Sequence, residues 1–451
     1  MKRRDFLSSA AIVGASLPLL TTIAPGCSRQ GGNRRSDRFS PSDLGMYSFI
    51  EKAPDGKPLK AALIGCGSRG TGAAFNFIDA GNDLSVVALA DVLEDRLQEC
   101  KERLATEKNN PVADNMCFIG FDAYEKAINQ DVDVVLICSP THFHPEQLRA
   151  SINANKHVFM EKPAAVDPVG IRSVLVSARH ADRSGLCVVT GNQRRHSRDY
   201  WEAYMQIKNG AIGDVLSATA HWNQGAWWNR LQRPGESDME YNIRNWFNIL
   251  WLSGDHLLDQ GIHNIDIATW FTGYLPERAV GYGGRARRLS GDIFDFFAVD
   301  YRYPNNRRML ATARQIDGTD NDVSESVMGT EGVCYLQGGN IRIENFNGEV
   351  VWSYDYEQMP VRNPYVQEHV HLVEAIRLNK KINQLEDLAN STMVAIMGRE
   401  AAYTGKPFTW DEIMASDLRY GPEEYDINAS LPFYQEGVAP IPGQAPGPPR
   451  S

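Results

Sequence analysis

LKAALIGCGSRG, residues 59–70, decides the fold. An apolar run, 59–64, breaks into Gly65-Cys66-Gly67-Ser68-Arg69-Gly70, and a helical stretch carrying Phe75 and Ile78 follows. This is G-x-G-x-x-G in the context it requires, strand before and helix after. Its glycines allow a tight turn and let the backbone approach a pyrophosphate seated on the helix N-terminus. A second apolar run, 84–90, ends in Asp91, about twenty residues beyond the turn. An acidic side chain there accepts hydrogen bonds from ribose hydroxyls and repels a 2′-phosphate, which favours NAD over NADP. Arg96, close in sequence, weakens that preference.

Short apolar runs continue at 115–119, 132–138, 157–160 and 186–190, with amphipathic stretches between them. Strands alternating with helices predict an α/β, doubly wound parallel sheet. The nicotinamide is then expected over the carboxyl ends of its strands, at the switch point. Ser139-Pro140-Thr141 and Glu161-Lys162-Pro163 each end such a strand and should face it. Pro163 biases Lys162 out of the helical region and places an amine at the strand tip. A lysine at a sheet edge is ordinarily just solvated. After a run as apolar as His-Val-Phe-Met, this one is expected to point into the cleft. His142 and His144 stand at i, i+2 on a strand-to-helix turn, a poor spacing for one metal. Helix capping or packing against the cofactor is expected there, and no metal site.

After Gly191 the pattern changes. Residues 200–210 read as a helix, followed by β-type runs at 215–223, 278–285, 294–303, 308–315, 332–336 and 348–356. Pro304-Asn305-Asn306 is a hairpin signal. Strands without intervening helices predict an α+β domain with a mostly antiparallel open sheet. Helical spacing returns at 367–378 and 390–403, ending at Gly405. Between these runs lies LLDQGIHNID, 257–266. If helical, Asp259 and His263 share a face. A carboxylate orients an imidazole and raises its proton affinity, which suits a general base removing a hydroxyl proton. The stretch before it is rich in tryptophan: Trp222, Trp227, Trp228, Trp246 and Trp251, of nine in the chain. Such rings could stack on a sugar, with Arg230, Arg233, Asn242, Arg244 and Asn245 bonding hydroxyls. Equally, they could form a core and a subunit interface.

The 451 residues, net charge −10 and 43% hydrophobic content suit a two-domain globular protein. They exclude a nucleic-acid binder, which needs clustered Lys and Arg. Seven cysteines fall singly, without a C-x-x-C pair, as expected of a chain that folds in a reducing compartment. At the start, Lys2, Arg3, Arg4, Phe6 and Leu7 precede a short apolar stretch, so residues 1–42 read as a twin-arginine-type signal and polar tether. Ala24-Pro25-Gly26-Cys27 resembles a relaxed lipoprotein box, a possible lipid anchor at Cys27, although Pro25 departs from that pattern. Residues 436–451 form a Pro/Gly-rich tail. The expected body is a nucleotide-binding domain, 58–190, and a substrate and oligomerisation domain, 191–430.

Together GCGSRG (65–70), Asp91, SPTHFH (139–144), EKP (161–163), GNQRR (191–195) and D-x-x-x-H (259–263) resemble the Gfo/Idh/MocA oxidoreductase family over roughly residues 58–410. The resemblance implies that Lys162, Asp259 and His263 hold the catalytic positions. It implies cofactor contacts from Gly65, Gly67, Ser68, Arg69, Gly70, Asp91, Arg96, Ser139, Pro140, Thr141, His144, Glu161, Lys162 and Gln193. Substrate contacts would come from Arg194, Trp227, Trp228, Arg244, Trp246 and His263. It further implies a homodimer or homotetramer, and oxidation of a sugar or glycoside hydroxyl. An exported member must carry its NAD with it, so a tightly held NAD restored in place by an acceptor is expected, in a periplasmic or membrane-tethered protein. The alternatives are an NAD-dependent glycosidase, in which transient oxidation ends in net hydrolysis, a glycoside 3-dehydrogenase, and a non-catalytic sugar sensor.

Overall fold

The computed structural model describes residues 39–431. The twin-arginine pattern, Cys27, most of the tether and the Pro/Gly tail lie outside the described residues.

Six strands form the first sheet: β1 (Leu59–Ile64), β2 (Leu84–Asp91), β3 (Cys117–Ile119), β4 (Val134–Ile137), β5 (His157–Met160) and β6 (Val188–Thr190). Their order is β3-β2-β1-β4-β5-β6, and every pair is parallel. The crossovers are α1 (Ser68–Asp79), α2 (Glu94–Lys108), α3 (Ala123–Ile128), α4 (His144–Asn153) and α5 (Pro168–Ser184). Helices cover both faces, so the central strands are buried throughout; all four residues of β4 are. That is why these strands read as unbroken apolar runs rather than alternating ones. The order reverses between β1 and β4, which opens a crevice at their carboxyl ends.

After α6 (Arg198–Lys208) comes β7 (Val215–Gln224). A helical insert follows: α7 (Asp238–Arg244), α8 (Leu250–Ser253), α9 (His256–Asp259) and α10 (Ile262–Thr272). The remaining strands are β8 (Arg278–Gly284), β9 (Phe296–Arg302), β10 (Arg308–Gln315), β11 (Asp322–Gly329), β12 (Gly332–Gln337), β13 (Asn340–Asn345), β14 (Val350–Ser353) and β15 (Phe408–Thr409). They form a nine-stranded sheet in the order β14-β13-β12-β11-β7-β10-β9-β8-β15. It is antiparallel except between β7 and β10. Strands β11 and β13 escape the sequence reading because their inward residues are interleaved with Ser, Glu, Asn and Arg rather than set in apolar runs.

Beside a short helix at Trp410–Ala415, two long helices complete the body, α11 (Pro364–Arg377) and α12 (Leu385–Thr404). The latter is apolar on nearly every side and packs between the second sheet and α5, so it belongs to both cores. Arg399 on it is fully buried. Its Nη1 donates to Val166 O (2.8 Å) in the first domain and Gly254 O (2.9 Å) in the second. From residue 416 the chain runs as a strap. Tyr420 N donates to Asp167 (3.0 Å) at the start of α5, Tyr425 meets His142 (2.6 Å), and Leu431 N donates to Asp238 (2.8 Å) on α7. Among the described residues no helix is long and apolar enough to cross a membrane.

Candidate active site

The glycine turn shows why each glycine is there. A Cβ on Gly65, whose φ is +89°, would lie 2.6 Å from the Cys138 backbone, and one on Gly70 would lie 1.8 Å from Gly65 O. Those two glycines are required by the turn itself. A Cβ on Gly67 would meet no protein atom within 4 Å, so this position faces the crevice. Gly67 is also the N-cap of α1 and has no side chain to bond the first-turn N–H groups, which leaves them for an anion. At the end of β2, Asp91 accepts from Cys66 N (2.6 Å) and Leu93 N (2.8 Å), and burial pushes its carboxyl up. A cleft runs from it, lined by Gly65, Asp91, Val92, Phe121, Ser139 and Pro140. These residues fit NAD. The α1 N-terminus and Gly67 would hold the pyrophosphate, and Asp91 the ribose.

Ser139 donates to Gln147 Oε1 (2.6 Å), and buried Thr141 starts the turn into α4. His144 lies between Ser139 O (2.8 Å) and Pro163 O (2.7 Å), so it ties together the turns that follow β4 and β5. Burial lowers its pKa, and in the neutral form its single N–H donates to one of the two carbonyls while the other nitrogen only packs against its neighbour. His142 packs edge-on to Trp251 and meets the Tyr425 hydroxyl instead. Among the described residues no group of three metal-ligating side chains comes together.

Lys162 follows β5 and crosses to the second domain. Its Nζ donates to Asp259 O (2.5 Å) and lies 3.9 Å from Asp259 Oδ1. Ala164 N donates to Thr392 Oγ1 (3.1 Å), and Arg399 holds Val166 and Gly254, so α12 fixes both sides of this contact. The half-buried ring of His263 makes no hydrogen bond among the described residues and packs 5.3 Å from that of Trp222. Burial first, and then the charges of Lys162, Arg194 and Arg69, hold its pKa well below the ordinary histidine range. The imidazole is therefore neutral, and its proton affinity is lowered rather than raised by a neighbouring carboxylate as the spacing implied.

The expected face-sharing of Asp259 and His263 is corrected by the structure. The helix breaks at Gln260-Gly261, where α9 ends and α10 begins, and Gly261 N bonds back to His256 O. Asp259 pairs with Gln260 Nε2 (2.5 Å) and faces Lys162, while His263 turns towards Trp222. Gly261 permits the break: the backbone there runs so close to Leu257 O that a Cβ at residue 261 would lie 2.5 Å from it.

Other expected contacts are placed elsewhere. Arg69 turns its Nη2 to Glu161 (2.5 Å) and Glu368 (3.5 Å) under the Tyr365 ring, rather than towards a phosphate. Through that pair it steadies Glu161, whose Oε2 accepts from Lys162 N (3.2 Å). Ser68 is exposed at the start of α1, and Arg96 is half-buried on α2, where its charge bears on Asp91. Gln193 bonds the Tyr365 hydroxyl (3.2 Å). Arg244 is committed to ion pairs with Asp95 (2.8 Å) and Glu240 (2.8 Å), on the Asp91 side of the crevice. Trp227, Trp228 and Trp246 stack with one another and with Phe247. None of these four shares a hydrogen bond, ion pair or ring contact with Lys162, Asp259 or His263. Arg194 does sit in the site, paired with Glu325 and with its guanidinium 5.8 Å from the Trp222 ring. Glu325, Glu368, Arg399 and Tyr425 escape the sequence reading. The one signal available was a glutamate on the inward parity of a strand.

Residues 59–190 match the family model described as an oxidoreductase family with NAD-binding Rossmann fold, and residues 200–335 match the GFO/IDH/MocA C-terminal domain. The myo-inositol 2-dehydrogenase of Thermotoga maritima is 31% identical over 227 residues, 50% of this chain and 58% of that protein. The D-glucoside 3-dehydrogenase of Escherichia coli is 27% identical over 234 residues, 51% of this chain and 59% of that protein. The chain thus spans little more than half the length of either relative. In fold it is similar to a scyllo-inositol dehydrogenase from Lactobacillus casei solved with NAD(H) and scyllo-inositol. The TM-score is 0.59 at 21% identity, covering 78% of this chain and 99% of that one.

Proposed function

Because the chain belongs to the GFO/IDH/MocA oxidoreductase family, with an NAD-binding Rossmann domain, we propose that it oxidises a hydroxyl group of a cyclic polyol, sugar or glycoside. The observation that carries this reading is the contact of Lys162, which follows β5 of the first domain, with Asp259 of the second, the Lys162 charge bearing also on His263. Lys162, steadied by Asp259, would donate to the reacting oxygen and offset the negative charge that develops there. A ring nitrogen of His263, neutral in its setting, would take the hydroxyl proton. Bound NAD supplies the acceptor for the hydride that leaves the same carbon. Asp259 acts on Lys162 and Gln260, and its role is to place the ammonium.

Export in the folded state with tightly held NAD belongs to the same proposal. The R-R-x-F-L pattern at residues 3–7 supports it, as do the six described cysteines, all unpaired. A periplasmic site, with or without a lipid at Cys27, would follow. Self-association is proposed for the uncovered face of the second sheet, where Val280, Tyr282, Phe296, Leu310 and Met328 share one side and are exposed.

The test is to purify the protein without added cofactor, then follow reduced-nicotinamide absorbance as inositols, monosaccharides and glycosides are added singly. A stoichiometric rise that stops after one turnover is expected, restored by a keto-sugar acceptor. Lys162→Ala should slow that rise by about 10²–10⁴-fold while leaving the bound nucleotide in place. Bound NAD that no polyol or glycoside reduces would overturn the reading. Steady release of nitrophenol from a nitrophenyl glycoside would favour net hydrolysis instead.

A further inference from the structure

Behind His263 lies a set of polar groups that the mechanism does not use. Glu325 stands on β11 opposite Ala220 of β7, on the same face as Trp222, and is 2% exposed. Its Oε1 pairs with Arg194, which arrives from the turn after β6, so the pair ties that turn to the second sheet. A structural ion pair of this kind ordinarily engages both carboxylate oxygens with the guanidinium fork. Here Glu325 Oε2 is buried with no partner. Trp222 Nε1 is likewise buried and unpartnered, on the ring that packs against His263. Asn264, next to His263, donates to His221 O (2.8 Å) and Ser324 O (3.1 Å), leaving its buried Oδ1 without a donor. Buried polar atoms in native proteins are satisfied, and an oxygen of a carboxylate is among the costliest to leave alone.

The groups are chemically matched. A hydroxyl is both donor and acceptor, and Glu325 with Arg194 offers one of each to the same oxygen. Trp222 adds a donor on the ring that packs against the imidazole. We propose that the Arg194–Glu325 pair, flanked by Trp222, reads a second hydroxyl of the substrate, one that is not oxidised, and so restricts the enzyme to polyhydroxylated rings. This rests on the oxidoreductase reading above. Glu325 Oε2 accepts a hydrogen bond from that hydroxyl, and an Arg194 N–H donates one to its oxygen. A substrate lacking the group would leave the carboxylate buried and unpaired, which is how a site built to bond a hydroxyl rejects a deoxy analogue.

The experiment uses the NAD-loaded protein with myo-inositol, scyllo-inositol and methyl β-D-glucopyranoside, each beside its monodeoxy analogues. For the accepted ring, at least one monodeoxy analogue should lose about 10³-fold or more in kcat/KM. Glu325→Gln should lower kcat/KM for the full polyol about 100-fold, mainly through KM, and change it little for that analogue. The acid limb of the pH profile should not rise, since an uncompensated Arg194 charge only lowers the His263 pKa further. Trp222→Phe, which keeps the ring, should lose about tenfold on the same substrate. Equal losses on the polyol and all its analogues, or no loss, would overturn the proposal. Should Glu325→Gln fail to fold, the wild-type analogue series decides, because uniform rates across it refute a hydroxyl-reading pair. Wild-type protein whose NAD is reduced by none of these rings would instead refute the oxidoreductase reading itself.

Discussion

At the scale of single residues, the glycine turn separates two requirements that the sequence motif merges. Gly70 is dictated by the fold, because a methyl group there would run into Gly65 O. Gly67 is dictated by the ligand, because a methyl group there meets no protein atom. Gly70→Ala is therefore expected to lower thermal stability of the nucleotide-free protein, at the upper end of the 1–3 kcal/mol range for overpacking. Gly67→Ala should leave that stability within about 0.5 kcal/mol but remove most of the shift produced by NAD. Thermal unfolding of both variants with and without NAD distinguishes the roles; equal losses in the two would contradict this assignment. Lys162 was legible for a similar reason: local chemistry at a strand tip constrains where an amine can go. Glu325 was not, because its meaning depends on Arg194, 131 positions away.

At the scale of elements, the order and boundaries of most strands could be read from apolar runs, and the break between α9 and α10 could not. A helical spacing of Asp259 and His263 is a statement about an ideal helix. Packing around Gly261 interrupts that helix and gives the two side chains different neighbours. The strap beyond residue 416 is a second such case. It has little periodicity, yet Tyr425 bonds His142 and stacks on Phe121, 5.4 Å away, and Phe121 lines the nucleotide cleft. Removing that ring costs a hydrogen bond and an aromatic contact, about 1–3 kcal/mol together. Tyr425→Ala should therefore release NAD about tenfold faster in a stopped-flow displacement assay, with unchanged circular dichroism. An unaltered release rate would show that the strap does not brace the cleft.

At the scale of the whole molecule, the core holds several imidazoles that the sequence presents only as scattered histidines. His196 and His371 meet through their Nδ1 atoms at 2.7 Å, and burial lowers His371 to about 4 and His142 to about 3. His196 and His369 are pushed well below the usual range by the same cause. The unfolded chain takes up these protons once pH falls below about 6.5, and the folded chain does not. Their contribution is thus complete above about pH 6.5 and declines as pH falls towards 4, by roughly 1.4 kcal/mol per pH unit for each imidazole. Glu368, raised by burial, acts with the opposite sign. Denaturant unfolding at pH 7, 6 and 5 should show falling stability, and His371→Gln should flatten the slope by about one proton. A flat profile in the unaltered protein would remove the premise. The sequence by itself determined the two-domain plan, the nucleotide turn and the lysine at the strand tip, because each follows from local periodicity or the stereochemistry of a few adjacent residues. Tertiary structure alone decided what those residues face. The pairing of Lys162 with Asp259, the turning of His263 towards Trp222, and the bridge from Arg194 to Glu325 join distant segments, and their geometry is set by how α12 locks the two domains together.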